Sequence, residues 1–374
     1  MLLNTMKILF DHQAFSLHTY GGVSRYFSEL IHGINHTPDY SAALPLLFSN
    51  NIHLKEKGFD INNFLLNKEF RRKKRLIYEI NKFYTLSALK KKQYDILHPT
   101  YFDSYFIPYL NRKPLVVTFH DMIHEKFSNQ FKELTFDQGI IARKKLLANQ
   151  ADRIIAVSES TKRDIIELLD VNPEKIEVIY HGCSFPPSVI STTEEPDRAP
   201  NPYLLYVGSR HVYKNFNGML SAIYPVLKKY KLKLLCAGGG AFTESERQLI
   251  LSLKVDDLVE QRDINDQILR KLYQQATAFI FPSLYEGFGI PILEAFDCQC
   301  PCIINDSSSL PEVAGDAALY VNFNEPDSLI NAIEQILSNN ELKQELIKKG
   351  QERLLEFSWE NTVDRTLKLY KELE

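Results

Sequence analysis

The chain has 374 residues, 44% of them hydrophobic and 24% charged, and a formal net charge of −3. That length exceeds what one ordinary hydrophobic core organises, so two domains are expected. The charge balance excludes a general nucleic-acid binder, and no run of about 18 uncharged apolar residues is present to cross a membrane as a helix.

In chain order, residues 1–10 lack the charged region and small-residue cleavage site of a signal peptide and predict a buried strand at 7–10. Further strands are expected at 96–97, 115–119, 153–157, 176–179, 203–207, 233–236, 278–281 and 302–304. Helices are expected at 23–35, 136–150, 158–169, 217–230, 243–253, 264–275, 292–296, 327–337 and 340–357. Strands separated by helices of this length predict parallel sheets built from βαβ units. Residues 184–202 hold five prolines and no glycine, which reads as a linker between two α/β halves. Two doubly wound domains facing one another are therefore the expected architecture, with ligand loops at the strand C-terminal ends. Three of the five cysteines, Cys298, Cys300 and Cys302, alternate at period two; that suits neither a zinc knuckle nor a CxxC pair, and reads as reduced core thiols.

One segment is unusually basic. Residues 68–92 carry Arg71, Arg72, Lys73, Lys74, Arg75 and Lys90 to Lys92, interleaved with Phe and Tyr. A solvated helix face and a surface for anionic lipid head groups both fit, and nucleic acid fits less well.

Four loops stand where strands end and helices begin. Gly21-Gly22 precedes a helix, where bare amides and the helix dipole favour an anion, although a Gly-Gly turn also occurs for structural reasons. His120-Asp121 ends an apolar strand; His120 either orients a substrate hydroxyl or simply packs there. His120, Asp121 and His124 are zinc-ligand types, but they lack a fourth ligand and suit no common spacing. In Gly208-Ser209-Arg210, followed by Lys214-Asn215, two cations four apart suit a diphosphate, the alternative being a solvated pair. The chain shows no Asp-x-Asp pair at a strand end to hold a metal–nucleotide. In Tyr285-Glu286-Gly287-Phe288-Gly289-Ile290-Pro291, the chain turns through glycines, and Pro291 suits the first turn of a helix that carries Glu294. The amides of Phe288, Gly289 and Ile290 lie between the two carboxylates and suit an anion.

These loops, with Val157-Ser158-Glu159-Ser160, His181-Gly182 and Phe357-Ser358-Trp359-Glu360, resemble the retaining glycosyltransferases of GT-B fold, specifically glycosyltransferase family 4. The resemblance implies two Rossmann-like domains facing a cleft. An acceptor domain occupies 1–183, a linker 184–202, a nucleotide-sugar domain 203–355, and a helix at 356–374 returns to the first domain. It implies catalytic roles for Arg210, Lys214, Glu286 and His120. It places Gly22, Ser209, Arg262, Ile264, Phe288, Gly289, Ile290 and Glu294 on the donor, and Gly21 and Asp121 on the acceptor side. No cofactor and no metal are expected. The partners implied are a GDP- or UDP-sugar donor and a glycan or polyprenyl-diphosphate-linked acceptor, with peripheral membrane contact through 68–92 of an otherwise cytoplasmic protein. Val207-Gly208-Ser209-Arg210 followed by Tyr213-Lys214-Asn215 resembles family members that act in bacterial surface-polysaccharide (O-antigen) assembly, often as mannosyltransferases. Rival readings are an inactive scaffold of the same fold and a sugar-nucleotide epimerase; a phosphorylase requires a far longer chain.

Overall fold

A computed structural model describes residues 5–61, 70–135, 137, 139–183, 185, 202–323 and 325–374. The chain forms two compact units. The first comprises residues up to 126, 135–182 and the C-terminal segment from Trp359; the second comprises Phe127–Leu134 and Cys183–Ser358. Apart from Phe185 and Pro202, the expected linker 184–202 lies outside the described residues.

The first unit contains β1 (Met6–Phe10), β2 (Tyr40–Ala43), β3 (Ile96–His98), β4 (Val116–Phe119), β5 (Arg153–Ala156) and β6 (Ile176–Val178). The strands run parallel in the orders β2-β1-β3 and β4-β5-β6, and a parallel bridge from Leu97 to Leu115 connects the two groups. β3 and β4 are wholly buried, as strands covered by helices on both faces must be. The C-terminal helix, Trp359–Lys371, packs on the helix Gly22–Asn35. A Cβ on Gly33 would lie 2.5 Å from Val363 Cγ2, so only glycine allows that approach. Tyr370 from this helix reaches the sheet: its hydroxyl lies 2.6 Å from His98 Nδ1, and His98 Nε2 lies 2.8 Å from Thr118 Oγ1.

The second unit contains β7 (Tyr203–Val207), β8 (Lys233–Ala237), β9 (Val259–Arg262), β10 (Ala278–Phe281), β11 (Cys302–Asn305) and β12 (Ala318–Val321). These form one parallel sheet in the order β12-β11-β10-β7-β8-β9. β7 and β10 are buried at every position, and their side chains join a core with Met219, Leu220, Ile223 and Ile333 from the covering helices. Cys236, Cys298, Cys300 and Cys302 are free, buried thiols, with burial holding each thiol above its usual range.

The structure adds three strands to those the sequence predicts: β2, β9 and β12. All three lie at sheet edges. An edge strand is covered incompletely, so its residues need not form an apolar run; Val-Glu-Gln-Arg in β9 is an example. The basic segment contains a helix, Lys73–Lys91, whose buried stripe is Lys73, Ile77, Asn81, Thr85 and Leu89. Three of those five residues are polar, which hides the usual amphipathic signal. The expected helix at 136–150 is described from Ile140 onward, and the one at 292–296 extends to Ile290–Asp297.

Candidate active site

In the second unit, the sequence-predicted residues lie at and beyond the C-terminal ends of three strands, β7, β9 and β10. Beyond β7, Gly208 takes φ +112°, a conformation that favours glycine, and its amide donates to Ala237 O. The chain then passes Ser209, whose carbonyl accepts from the Tyr206 hydroxyl at 2.7 Å, and reaches Arg210.

Arg210 and Lys214 have different surroundings. The Arg210 side chain is 3% exposed; Nε donates to Glu246 Oε1 at 2.9 Å, and the rest of the fork donates to the carbonyls of Gly238, Gly239, Gly240 and Ala241. Lys214 Nζ pairs with Glu286 Oε1 at 2.5 Å, with the two side chains 18% and 14% exposed.

The partners of Arg210 were not found by sequence reasoning. Gly238, Gly239 and Gly240 follow β8 with φ of +79°, +71° and +73°. A Cβ on Gly239 would lie 2.6 Å from Gly208 O and 2.8 Å from the Arg210 guanidinium, so the two loops touch through a glycine. Three glycines after an apolar strand were the available signal. Glu246 has two tasks. One oxygen accepts from Arg210, and the other closes the capping box of the helix Glu244–Ser252 by accepting from Thr243 N at 2.6 Å. A segment from the N-terminal half also joins this unit. Glu133 Oε1 accepts from Val212 N at 2.7 Å, and the Phe127 ring packs on Tyr285.

The loop after β10 is braced by a serine run after β11. Ser308 Oγ accepts from Glu286 N, Ser309 Oγ donates to the carbonyls of Glu286 and Phe288, and Asn305 holds Ser283 O. Gly289 then turns the chain at φ +116° into the helix Ile290–Asp297, with Pro291 in its first turn. Glu294 lies in this helix, 8% exposed, and accepts from the Tyr273 hydroxyl at 3.2 Å. Glu286 and Glu294 thus meet different residues, Lys214 and Tyr273. Arg262 ends β9 and Ile264 follows it. Arg262 is exposed and pairs with Glu260 at 2.8 Å; Ile264 packs beside Gly238.

In the first unit, His120 and Asp121 directly follow β4, whereas Gly21 and Gly22, expected at a strand end, are separated from β1 by a helix, Gln13–Leu17, and stand at the start of the helix Gly22–Asn35. Gly21 has φ +136° and open space where a Cβ would stand, so glycine is required there by the backbone and not by packing. Its carbonyl accepts from Ser24 Oγ, and Gly22 begins the helix Gly22–Asn35. The His120 ring packs edge-on against Tyr26 and stacks on His181; its Nε2 is buried with no hydrogen-bond partner in the structure. Burial lowers His120 to a pKa of about 4, so the ring is neutral near pH 7.

Lys144, absent from the sequence reading, is 1% exposed and donates to Asp121 O at 2.9 Å and Glu125 Oε2 at 3.1 Å. Burial pushes the Asp121 carboxyl up, but Lys144 and the Ile123 amide outweigh it and hold the carboxyl below its usual range. Among the described residues, no cluster of three or more His, Cys, Asp or Glu is placed to hold a metal ion.

A two-unit α/β fold of this kind is found in solved enzymes. The chain superposes on sucrose-phosphate synthase from Thermosynechococcus elongatus with a TM-score of 0.76 at 19% identity, covering 98% of this chain and 99% of that one. It also superposes on Anabaena HepE in complex with UDP and glucose, with a TM-score of 0.73 at 15% identity and the same coverage. In sequence it is similar to O-antigen chain mannosyltransferase B of Escherichia coli, 28% identical over 273 residues, which are 68% of this chain and 70% of that protein. Residues 20–184 match the family model Glycosyltransferase Family 4, and residues 192–353 match Glycosyl transferases group 1. The chain belongs to the GT-B glycosyltransferases, with a Family 4 domain followed by a group 1 domain.

Proposed function

We propose that the protein is a retaining, metal-independent hexosyltransferase that moves mannose from GDP-mannose to a glycan or lipid-linked acceptor in bacterial surface-polysaccharide (O-antigen) assembly. The observation that carries the reading is the Lys214–Glu286 pair, set beside a helix start on a braced glycine loop. The similarity to an O-antigen mannosyltransferase supports the sugar and the pathway.

In this reading the donor diphosphate takes Lys214 from Glu286, since two phosphates attract the ammonium more strongly than one carboxylate does. Glu286, released, accepts from hydroxyls of the transferred sugar. The Phe288 to Ile290 backbone holds the sugar and the nearer phosphate. Glu294 receives the ribose hydroxyls, and Arg262 and Ile264 flank the base. Arg210 anchors the Gly238–Gly240 loop and adds positive charge at the phosphates, and Ser209, next to it in the chain, contacts the donor. Gly22 allows close approach to the donor phosphate, Gly21 and Asp121 face the acceptor, and neutral His120 contacts the sugar near the reacting carbon.

As the glycosidic bond breaks, negative charge builds on the leaving phosphate, and fixed cations stabilise it by about 3–4 kcal/mol in comparable sites. The acceptor hydroxyl attacks the same face and passes its proton to the leaving phosphate oxygen. A UDP-sugar donor is the second reading, favoured by the likeness to a UDP-bound structure. The test is acceptor-dependent release of GDP or UDP from a panel of nucleotide sugars, repeated in EDTA, with the product anomer read by NMR. Acceptor-independent turnover, or an inverted anomer, overturns the proposal.

A further inference from the structure

Lys214 stands on a single helical turn, Val212–Lys214. Val212 N is the first amide of that turn, a donor that the turn itself cannot satisfy. His211, at the cap position, makes no side-chain cap bond. Glu133 supplies the acceptor from seventy-nine positions away: its Oε1 accepts from Val212 N at 2.7 Å. Its Oε2 lies 3.5 Å from His211 Nδ1.

Glu133 falls within the stretch that matches Family 4, yet with the rest of Phe127–Leu134 it belongs to the second unit. That segment is folded on itself. Phe127 O accepts from Gln130 N and Phe131 N, both at 2.9 Å, and Phe131 O accepts from Leu134 N at 3.0 Å. The Phe127 and Phe131 rings stack with centroids 5.7 Å apart, and the Phe127 ring also packs on Tyr285 at 5.5 Å. The segment therefore touches both loops that carry the Lys214–Glu286 pair. It meets one at Val212, two residues before Lys214, and the other at Tyr285, one residue before Glu286. Leu284 N donates to Tyr213 O at 2.8 Å and ties the same two loops directly. A lysine ammonium rides on a flexible four-carbon stem, so its placement depends on how firmly its backbone is held.

We infer that Glu133 is a positioning residue for Lys214: its carboxylate holds the Val212–Lys214 turn so that the ammonium meets the donor diphosphate. The inference rests on the reading of Lys214 as the lysine at the donor phosphates. It adds a residue from the other half of the sequence that acts through that lysine.

The test is calorimetric titration of the full chain with GDP and with UDP. Glu133→Ala is expected to lower the affinity for the nucleotide that binds wild type about tenfold. Glu133→Gln keeps an oxygen able to accept from Val212 N and is expected to stay within about threefold of wild type. Gln130→Ala, at an exposed position of the same segment, is expected to leave the affinity unchanged. The decisive comparison is made in a Lys214→Ala background. A residue that acts only through Lys214 has nothing to position there, so Glu133→Ala is expected to cause no further loss. A general loosening of the fold lowers the affinity by the same factor in both backgrounds.

Unchanged affinity in Glu133→Ala, an equal loss in Glu133→Gln, or a loss that persists in the Lys214→Ala background overturns the inference. The Glu133 side chain is 27% exposed, so the variants are expected to fold. Amide hydrogen exchange gives a second measurement that needs no ligand. Glu133→Ala should speed exchange at residues 212–215 and leave the core strands β7 and β10 protected; unaltered exchange at 212–215 also overturns the inference. If nucleotide binding depends on Glu133 through Lys214 while sugar transfer is absent, the transfer reading falls and the inference stands. If transfer proceeds and Glu133→Ala binds nucleotide as wild type does, the inference falls and the transfer reading stands. Binding of neither nucleotide to wild type overturns both.

Discussion

Lys214 and Glu286 form an ion pair, Nζ to Oε1 at 2.5 Å, across loops that follow the adjacent strands β7 and β10. Seventy-two positions separate them in sequence. The pair places the one lysine assigned to the donor phosphates against the one carboxylate assigned to the donor sugar. Lys214→Ala is expected to lower turnover by about two to three orders of magnitude, as loss of a charge-stabilising group does in comparable sites. Its circular dichroism and melting temperature are expected to stay close to wild type, because the side chain is partly exposed. Near-normal turnover in that variant refutes the assignment.

Arg210 is expected to behave differently. Its removal leaves Glu246, 7% exposed at its side chain, as a buried carboxylate without its cation, and four carbonyls without their donor. Arg210→Ala should destabilise the second unit by about 3–5 kcal/mol in addition to any loss of activity. Denaturant unfolding measures this, and stability equal to that of Lys214→Ala contradicts it.

Gly239→Ala probes the contact between the two glycine loops. The new methyl group meets Gly208 O at 2.6 Å, and the backbone stays at φ +71°. A loss of about 2 kcal/mol or more in unfolding free energy is expected. Stabilisation by nucleotide sugar in a thermal-shift measurement should weaken as well.

Acid stability follows from three buried histidines. His12 and His120 are lowered to about 4 and His98 to about 3, chiefly by burial, against 6.5 for an unperturbed ring. The unfolded chain therefore binds more protons than the folded one below pH 6.5, and folding stability falls as pH drops from 6.5 toward 3. The slope of unfolding free energy between pH 6.5 and 5 should show net proton uptake on unfolding, and His98→Gln should reduce that slope. A flat profile over this range contradicts the burial of these rings.

The basic helix presents Leu76, Phe83 and Tyr84 to solvent at 44%, 75% and 43% exposure, among exposed lysines and arginines. That face suits an anionic bilayer surface. No helix among the described residues is long and apolar enough to cross a membrane. Flotation with phosphatidylglycerol liposomes at low salt should carry wild-type protein and much less of a Leu76→Ser/Phe83→Ser variant. Absence of flotation at low salt rejects the membrane contact.

The central strands and the loops that follow them were legible in the sequence for a physical reason. A strand buried on both faces must be apolar throughout, as Tyr203–Val207 and Ala278–Phe281 are, and a chain leaving such a strand needs glycine or proline to turn. Gly208, Gly289 and Pro291 marked those turns, and the charges beside them marked the candidate site. The edge strand β9 left no such trace because water covers part of it, so Val-Glu-Gln-Arg need not be apolar.

What the sequence determined by itself was therefore the α/β class, the division into two halves, and which loops follow the central strands, since each depends on local burial or local turn geometry. The tertiary structure alone decided the partner of each charge. Arg210 meets Glu246 and three glycines, Lys214 meets Glu286, and Lys144 meets Asp121 and Glu125. These pairings join residues that are distant along the chain, and a charge placed in a loop carries no record of which opposite charge the folded sheet will bring to it.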